Sequence, residues 1–359
     1  DVSPPKEETA KRAPPLTGIT AQIQAILERK GQVILYGPPG TGKTFVALTA
    51  ARELAAHAAF GRAPSELDPA EQAQLQGETG ALVRLVTFHP GYGYEDFIEG
   101  YRPAADEGPV RFVLRNGIFK QMARDAAQQP GRKYFLLIDE INRGDIPRIF
   151  GELLTLLEKD KRSQQLMLPV SGDPFSVPDN LFVIGTMNTA DRSIALLDTA
   201  LRRRFGFIEL MPNYSLLGDT VVDGIPLGLW LEALNRRIVE SIGRDARNLQ
   251  IGHAYLLQGG QPVADFAHFA RVVQEDIIPL LEEYSYEDYT ALERILGRGL
   301  VDATNQSVHH ELFAPGHKAD LIQALLEPTP DLTTTAQAVS AEEDTPGETL
   351  DEEENDQST

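Results

Sequence analysis

The sequence predicts an α/β fold, a five-stranded parallel sheet flanked by helices, followed by a small all-helical domain. Three observations carry this. Short, continuously apolar runs, Val33-Ile34-Leu35-Tyr36 and Tyr134-Phe135-Leu136-Leu137-Ile138, have the pattern of strands covered on both faces. Such runs alternate with breaker-free segments of helical length, and that alternation builds a parallel sheet. From about residue 226 the strand pattern stops, and apolar residues recur at helical spacing only.

The elements follow in order. Residues 1–17 mix Pro, Lys and Glu and read as a linker. Gly18 to Glu28 sets Ile19, Ile23, Ile26 and Leu27 at helical spacing, which predicts a short helix before the first strand at 33–36. Gly37-Pro38-Pro39-Gly40-Thr41-Gly42-Lys43-Thr44 comes next, and the Ala- and Leu-rich stretch 44–58 continues it as a helix. A polar stretch, 59–80, leads to a second strand at 82–88. Residues 106–119 alternate at Val110, Phe112 and Leu114, predicting a hairpin before a helix at 118–128.

The third strand, 134–138, ends abruptly in Asp139-Glu140. A helix is expected over 146–159, a hairpin over 167–178, and a fourth strand over 181–186 that ends at Met187-Asn188. A helix from about Ile194 runs into Leu201-Arg202-Arg203-Arg204, and Phe205 to Leu210 makes the fifth strand. Leu231, Leu234, Ile238 and Ile242, then Phe266, Phe269, Val272, Val273, Ile277 and Leu280-Leu281, read as helices only. The domain reading is therefore a linker at 1–17, an α/β domain at 18–212, a helical domain at 226–326 and a tail at 327–359.

Composition narrows the function classes. A chain of 359 residues with 42% hydrophobic content can bury a full core. No apolar run approaches the ~20 residues of a membrane span, and the first residues lack a secretion signal. The chain begins at Asp, as a fragment or a trimmed product would. The absence of cysteine excludes disulfides and thiolate metal sites and fits a reducing cytoplasm, the expected location. The net charge of −20 is unevenly placed: residues 327–359 hold eleven acidic side chains and no Lys or Arg, leaving −9 for the rest. Such a tail cannot offset its ordering entropy and is expected to be disordered, while a mildly acidic body can still line one channel with basic residues.

The loop at 37–44 carries the chemistry. Its G-x-x-x-x-G-K-[ST] spacing, between strand and helix, cradles phosphates: glycines let successive N–H groups turn inward, and the helix adds its positive end. Gly37, Pro38, Pro39, Gly40, Thr41, Gly42, Lys43 and Thr44 are the nucleotide-binding residues of this reading. Lys43 would reach the β- and γ-phosphates and Thr44 would ligate Mg²⁺. Parallel sheets bind ligands beyond the carboxyl ends of their strands, where Asp139, Glu140 and Asn188 lie. Asp139 is expected to hold Mg²⁺ through its water shell, Glu140 to polarise the attacking water, and Asn188 to reach between the γ-phosphate and that water. Phe88 to Tyr101 holds five aromatics but is interleaved with Glu95, Asp96 and Glu99, which favours packing over base stacking. His89 and His253 lack metal-ligand spacing.

Four strings carry a resemblance. They are Thr87-Phe88-His89 through Tyr94-Glu95-Asp96-Phe97-Ile98-Glu99-Gly100-Tyr101-Arg102-Pro103, Asp139-Glu140-Ile141-Asn142-Arg143, Gly185 to Ser193 with Leu196 to Phe205, and Ile278-Pro279-Leu280-Leu281-Glu282-Glu283-Tyr284. Over about 18–300 the chain resembles the AAA+ family of P-loop NTPases and, within it, the McrB branch, the motor subunits of McrBC modification-dependent restriction systems. The resemblance implies an AAA+ sheet with an α-helical lid, a GTP or ATP substrate with Mg²⁺, and a homo-oligomeric ring, a hexamer. It also implies an McrC-like endonuclease partner and DNA as the track. In such a ring an arginine from one subunit stabilises charge on its neighbour's γ-phosphate; Arg203 or Arg204 is the choice, with Arg143 a second candidate. Three arginines ending a helix also complement its negative end. His253 stands where many AAA+ proteins place a γ-phosphate-sensing arginine. Two other readings are a MoxR-like chaperone ATPase and a nucleotide-gated assembly scaffold.

Overall fold

The structure, a computed structural model, describes residues 15–76, 80–104, 111–190, 199–243, 245–286 and 288–332. The chain divides into two compact units, Asp1–Met211 and Pro212–Thr359. In the first, α1 (Gly18–Lys30), β1 (Gln32–Gly37), α2 (Lys43–Phe60), α3 (Pro69–Gln76) and β2 (Val83–Thr87) are followed by α4 (Tyr94–Phe97), β3 (Glu99–Pro103), β4 (Phe112–Asn116) and α5 (Ile118–Gln128). Then come β5 (Tyr134–Asp139), α6 (Ile146–Phe150), α7 (Leu153–Leu156), β6 (Leu166–Met167), β7 (Pro174–Phe175), β8 (Leu181–Asn188), α8 (Thr199–Arg204) and β9 (Gly206–Glu209).

Five strands form one parallel sheet in the order β2-β5-β8-β1-β9. Val33, Ile34, Leu35, Leu136, Ile138 and Ile184 are completely buried, because helices cover both faces of a parallel sheet and leave no side open to water. The register aligns the carboxyl ends: Gly37 lies opposite Asn188, and Thr87 opposite Asp139. Those ends form one rim.

Three local expectations change. The polar stretch 59–80 contains α3, whose only buried side chain is Leu75, too little apolar periodicity to read. The hairpin expected at 106–119 pairs β4 with β3, so it starts at Glu99; the Gly, Arg and Pro of β3 hid it. The helix expected over 146–159 breaks at Gly151, whose φ of 52° and ψ of −134° leave the helical region, giving α6 and α7. The helix leading to the arginines is described only as α8, since 191–198 lie outside the described residues. Of the aromatic string, Phe88 and Phe97 are completely buried, with Phe88 stacked on Tyr92 and Phe97 on Phe119, whereas Tyr101 is exposed.

The second unit is built on α9 (Leu227–Ser241), α10 (Phe266–Val272), α11 (Ile278–Ser285), α12 (Tyr289–Leu296) and α13 (Lys318–Leu326). A single turn of π-helix, Val273–Ile277, joins α10 to α11. Trp230 on α9 is 1% exposed, meets Phe269 edge to face at 5.1 Å and donates its indole N–H to the Leu325 carbonyl at 3.2 Å. The unit is not helices alone: its described residues include three short antiparallel hairpins, Val221–Val222 with Ile225–Pro226, Leu257–Gln258 with Gln261–Pro262, and Val301–Asp302 with Ser307–Val308. Each strand is two residues long, below the length at which alternation is legible. Among the described residues no helix is long and apolar enough to cross a membrane.

Candidate nucleotide site

The rim at the carboxyl ends of β1, β5 and β8 gathers the predicted residues. The phosphate loop leaves β1 at Gly37, where a Cβ would sit 2.1 Å from the Leu210 carbonyl oxygen, so the close approach of the chain after β9 requires glycine. Gly42, with φ of 73°, turns the backbone into α2, whose N-terminus has no side-chain cap, as a helix end that offers its first N–H groups to phosphate requires. Lys43 is 6% exposed. Its ammonium donates to the Pro38 carbonyl at 2.6 Å and to Thr41 Oγ1 at 3.4 Å, so it lies inside the loop. Burial pushes Lys43 down to about 8, against the opposing pull of Glu140 and Asp139.

Thr44 and Asp139 meet: Thr44 Oγ1 donates to Asp139 Oδ1 at 2.6 Å. A hydroxyl and a carboxylate are the hard oxygen donors that Mg²⁺ takes when phosphates and water complete its shell, so these two residues fit the ion. Glu140 follows in the left-handed region (φ 53°, ψ 45°), a costly conformation for a non-glycine residue. Its N–H donates to Thr186 Oγ1 at 3.2 Å, and its Oε1 accepts from Asn188 Nδ2 at 2.5 Å. Arg143 Nε lies 3.4 Å from the other carboxylate oxygen of Glu140. The structure thus brings Lys43, Thr44, Asp139, Glu140, Asn188 and Arg143 together on one rim.

Sequence reasoning gave no role to two residues that hold this cluster. Thr186, 3% exposed, donates from Oγ1 to Asp139 Oδ1 at 2.6 Å while accepting from the Glu140 backbone N–H, so one hydroxyl orients the Asp139 carboxylate and fixes the backbone that carries Glu140. Asn142 donates to the Asn188 carbonyl at 3.2 Å and ties the turn after β5 to the end of β8. The available signal was a polar residue closing an otherwise apolar strand, as Thr186 does after Leu181 to Gly185. The arginines lie elsewhere in the unit. Arg203 is exposed, and Arg204 is ion-paired with Glu158 at 2.9 Å. In the second unit His253 is buried and its Nδ1 accepts from the Asn213 N–H at 3.1 Å; burial lowers its pKa.

Two protein-family models match the chain: an AAA domain of the dynein-related subfamily over residues 70–205, and the McrB α-helical lid domain over residues 226–293. Among curated proteins, the chain is 38% identical over 287 residues to the type IV methyl-directed restriction enzyme EcoKMcrB subunit of Escherichia coli K12. That match covers 74% of this chain and 57% of the relative. Over both regions the chain is similar to McrB-like AAA+ proteins. As an AAA+ protein it is a P-loop NTPase with a helical lid. A second relative of this McrB-like chain, component YdiS of the type II restriction enzyme BsuMI of Bacillus subtilis, is 26% identical over 61% of the chain and 67% of its own length. The peroxisomal ATPase pex6 of Schizosaccharomyces pombe is 27% identical over 44% of the chain and 18% of its own length. The chain thus spans just over half the length of its E. coli relative.

Proposed function

We propose that this chain is the nucleotide-driven ring motor of a restriction system, acting on DNA with an McrC-like endonuclease subunit. The convergence of Thr44, Asp139, Glu140 and Asn188 on one rim, in a chain whose lid matches McrB, carries this reading. The two relatives named as restriction components favour it over a MoxR-like chaperone or an assembly scaffold.

In this reading the loop N–H groups and Lys43 hold the triphosphate, and Thr44 and Asp139 hold Mg²⁺, which neutralises phosphate charge when bound. Glu140 takes the proton of the attacking water. The contact from Asn188 Nδ2 keeps the Glu140 carboxylate engaged on the rim and fixes where that water stands. Thr44 and Thr186 both donate to Oδ1 of Asp139 and so fix that carboxylate on the rim. An arginine of the adjacent subunit supplies the remaining positive charge, so hydrolysis needs the ring, a hexamer by likeness to McrB.

GTP is the proposed substrate, on the McrB relationship. Direct competition between GTP and ATP with Mg²⁺ on one preparation tests it: a clear GTP preference supports the restriction reading, and a clear ATP preference moves the chain toward ATP-using relatives. Light scattering tests the ring. Saturating triphosphate should drive small species to an assembly of about six subunits, since closed rings satisfy every head-to-tail interface. A monomer at micromolar protein, with turnover per subunit independent of concentration, overturns the motor.

A further inference from the structure

The end of α8 is held by side chains from other elements of the α/β unit. Lys30 Nζ donates to the carbonyls of Arg203 at 2.8 Å and of Phe205 at 3.0 Å. Gln32, completely buried at the start of β1, donates through Nε2 to the carbonyl of Arg204 at 2.6 Å and to that of Leu157 at 2.9 Å. Its Oε1 accepts from Nη2 of Arg162 at 3.0 Å, and Arg162, 1% exposed, also donates to the Leu181 carbonyl at 2.5 Å. Glu158 pairs with Arg204 at 2.9 Å and Lys161 at 2.7 Å, and Lys161 foremost, with Arg204, holds its carboxyl below the ordinary value.

Two consequences follow. The carbonyls at the negative end of α8 are met by Lys30 and Gln32, so offsetting that end is not the task of the arginine run. Arg204 is committed to Glu158 within its own subunit, while the neighbouring Arg203 is exposed on a backbone fixed at its own carbonyl and at the next two. A side chain that stabilises transition-state charge loses about 100-fold in rate when displaced by ~1 Å, so it needs a rigid mount.

We propose that Lys30, Gln32 and Glu158 are positioning residues that set Arg203 for action on the nucleotide of the adjacent subunit. This rests on the ring reading above. Gln32 fixes the backbone, Lys30 fixes it on either side, and Glu158 draws Arg204 away so that one arginine of the pair serves the interface.

The test compares Lys30→Met, Glu158→Gln and Arg203→Ala in the full chain, each alone and mixed with Lys43→Ala subunits, whose own site is dead but whose arginines are intact. Lys30→Met and Glu158→Gln should lower kcat about 10- to 100-fold with triphosphate affinity unchanged, since the mount and not the binding loop is altered. Lys30→Arg should keep most of the activity, and mixing with Lys43→Ala should restore turnover to both defective variants. If Arg203→Ala is rescued by mixing while Lys30→Met and Glu158→Gln either turn over normally or are not rescued, the ring reading stands and the positioning role falls. If Arg203→Ala itself turns over at the wild-type rate or is not rescued, the arginine assignment beneath the proposal is wrong. A Lys30→Met chain that binds no triphosphate has lost its fold, and Glu158→Gln, at a partly exposed pair, then decides.

Discussion

Glu140 and Lys43 divide the labour of the site, and substitution separates them. Glu140→Gln keeps the shape of the side chain but cannot take a proton, so turnover should fall by roughly 10²–10⁴-fold with triphosphate affinity intact, measured by paired binding and single-turnover assays. Lys43→Ala should instead lose affinity. Lys43 also makes binding pH-dependent. Its pKa in the unliganded site is lowered to about 8, first by burial, and the ammonium is the form that meets an anion. Affinity is therefore full below that value and falls as pH rises through it, by about tenfold between pH 7 and pH 9. Titrating the dissociation constant over that range checks it, and in Lys43→Met the slope should vanish. The residues of the phosphate loop were legible because their spacing is local; Thr186 was not, because its role depends on β5 and β8 lying side by side, which no stretch of chain records.

At the scale of elements, the β3–β4 hairpin depends on a buried ion pair. Glu99 is completely buried and Lys120 is 1% exposed; their charged groups are in contact, and the Ser171 N–H donates to the other oxygen of Glu99 at 2.9 Å. Burial alone would raise the Glu99 carboxyl, but the donors from Lys120 and Ser171 win and hold it low. Lys120 also reaches Asp173 at 3.3 Å, so Lys120→Met, which strands the buried Glu99 charge, should destabilise by about 3–5 kcal/mol and Glu99→Gln by less, while Glu99→Gln combined with Lys120→Met should cost clearly less than the sum. Urea unfolding of the four proteins closes that cycle. The sign with pH follows from the lowered carboxyl: its contribution is present above the unfolded carboxylate value and is lost as pH falls through the folded one. This pair also explains why β3 was missed. Glu99 and Lys120 look like surface residues, and only their encounter between β3 and α5 shows that they are not. The buried strands β1, β5 and β8 were legible for the opposite reason, since covering both faces forces an unbroken apolar run that periodicity detects.

Across the whole molecule, the change of pattern near residue 226 anticipated a second unit, and the chain divides at Met211 and Pro212. The two-residue hairpins of that unit escaped notice because strands so short leave no period. Its one tryptophan has a use beyond packing. Trp230 is the sole indole in the sequence and lies sealed inside the helical unit, so the α/β unit contributes no indole emission at all. Selective excitation therefore yields a built-in optical label for the lid, with no dye or tag. Saturating triphosphate at 100 times its dissociation constant should stabilise whatever binds it by about 2.7 kcal/mol. A thermal melt followed by that emission, beside one followed by circular dichroism, then reads cooperativity directly. If nucleotide raises the fluorescence midpoint as far as the dichroism midpoint, lid and sheet unfold as one; a fluorescence midpoint that stays put while the other climbs means the label reports a lid that melts by itself.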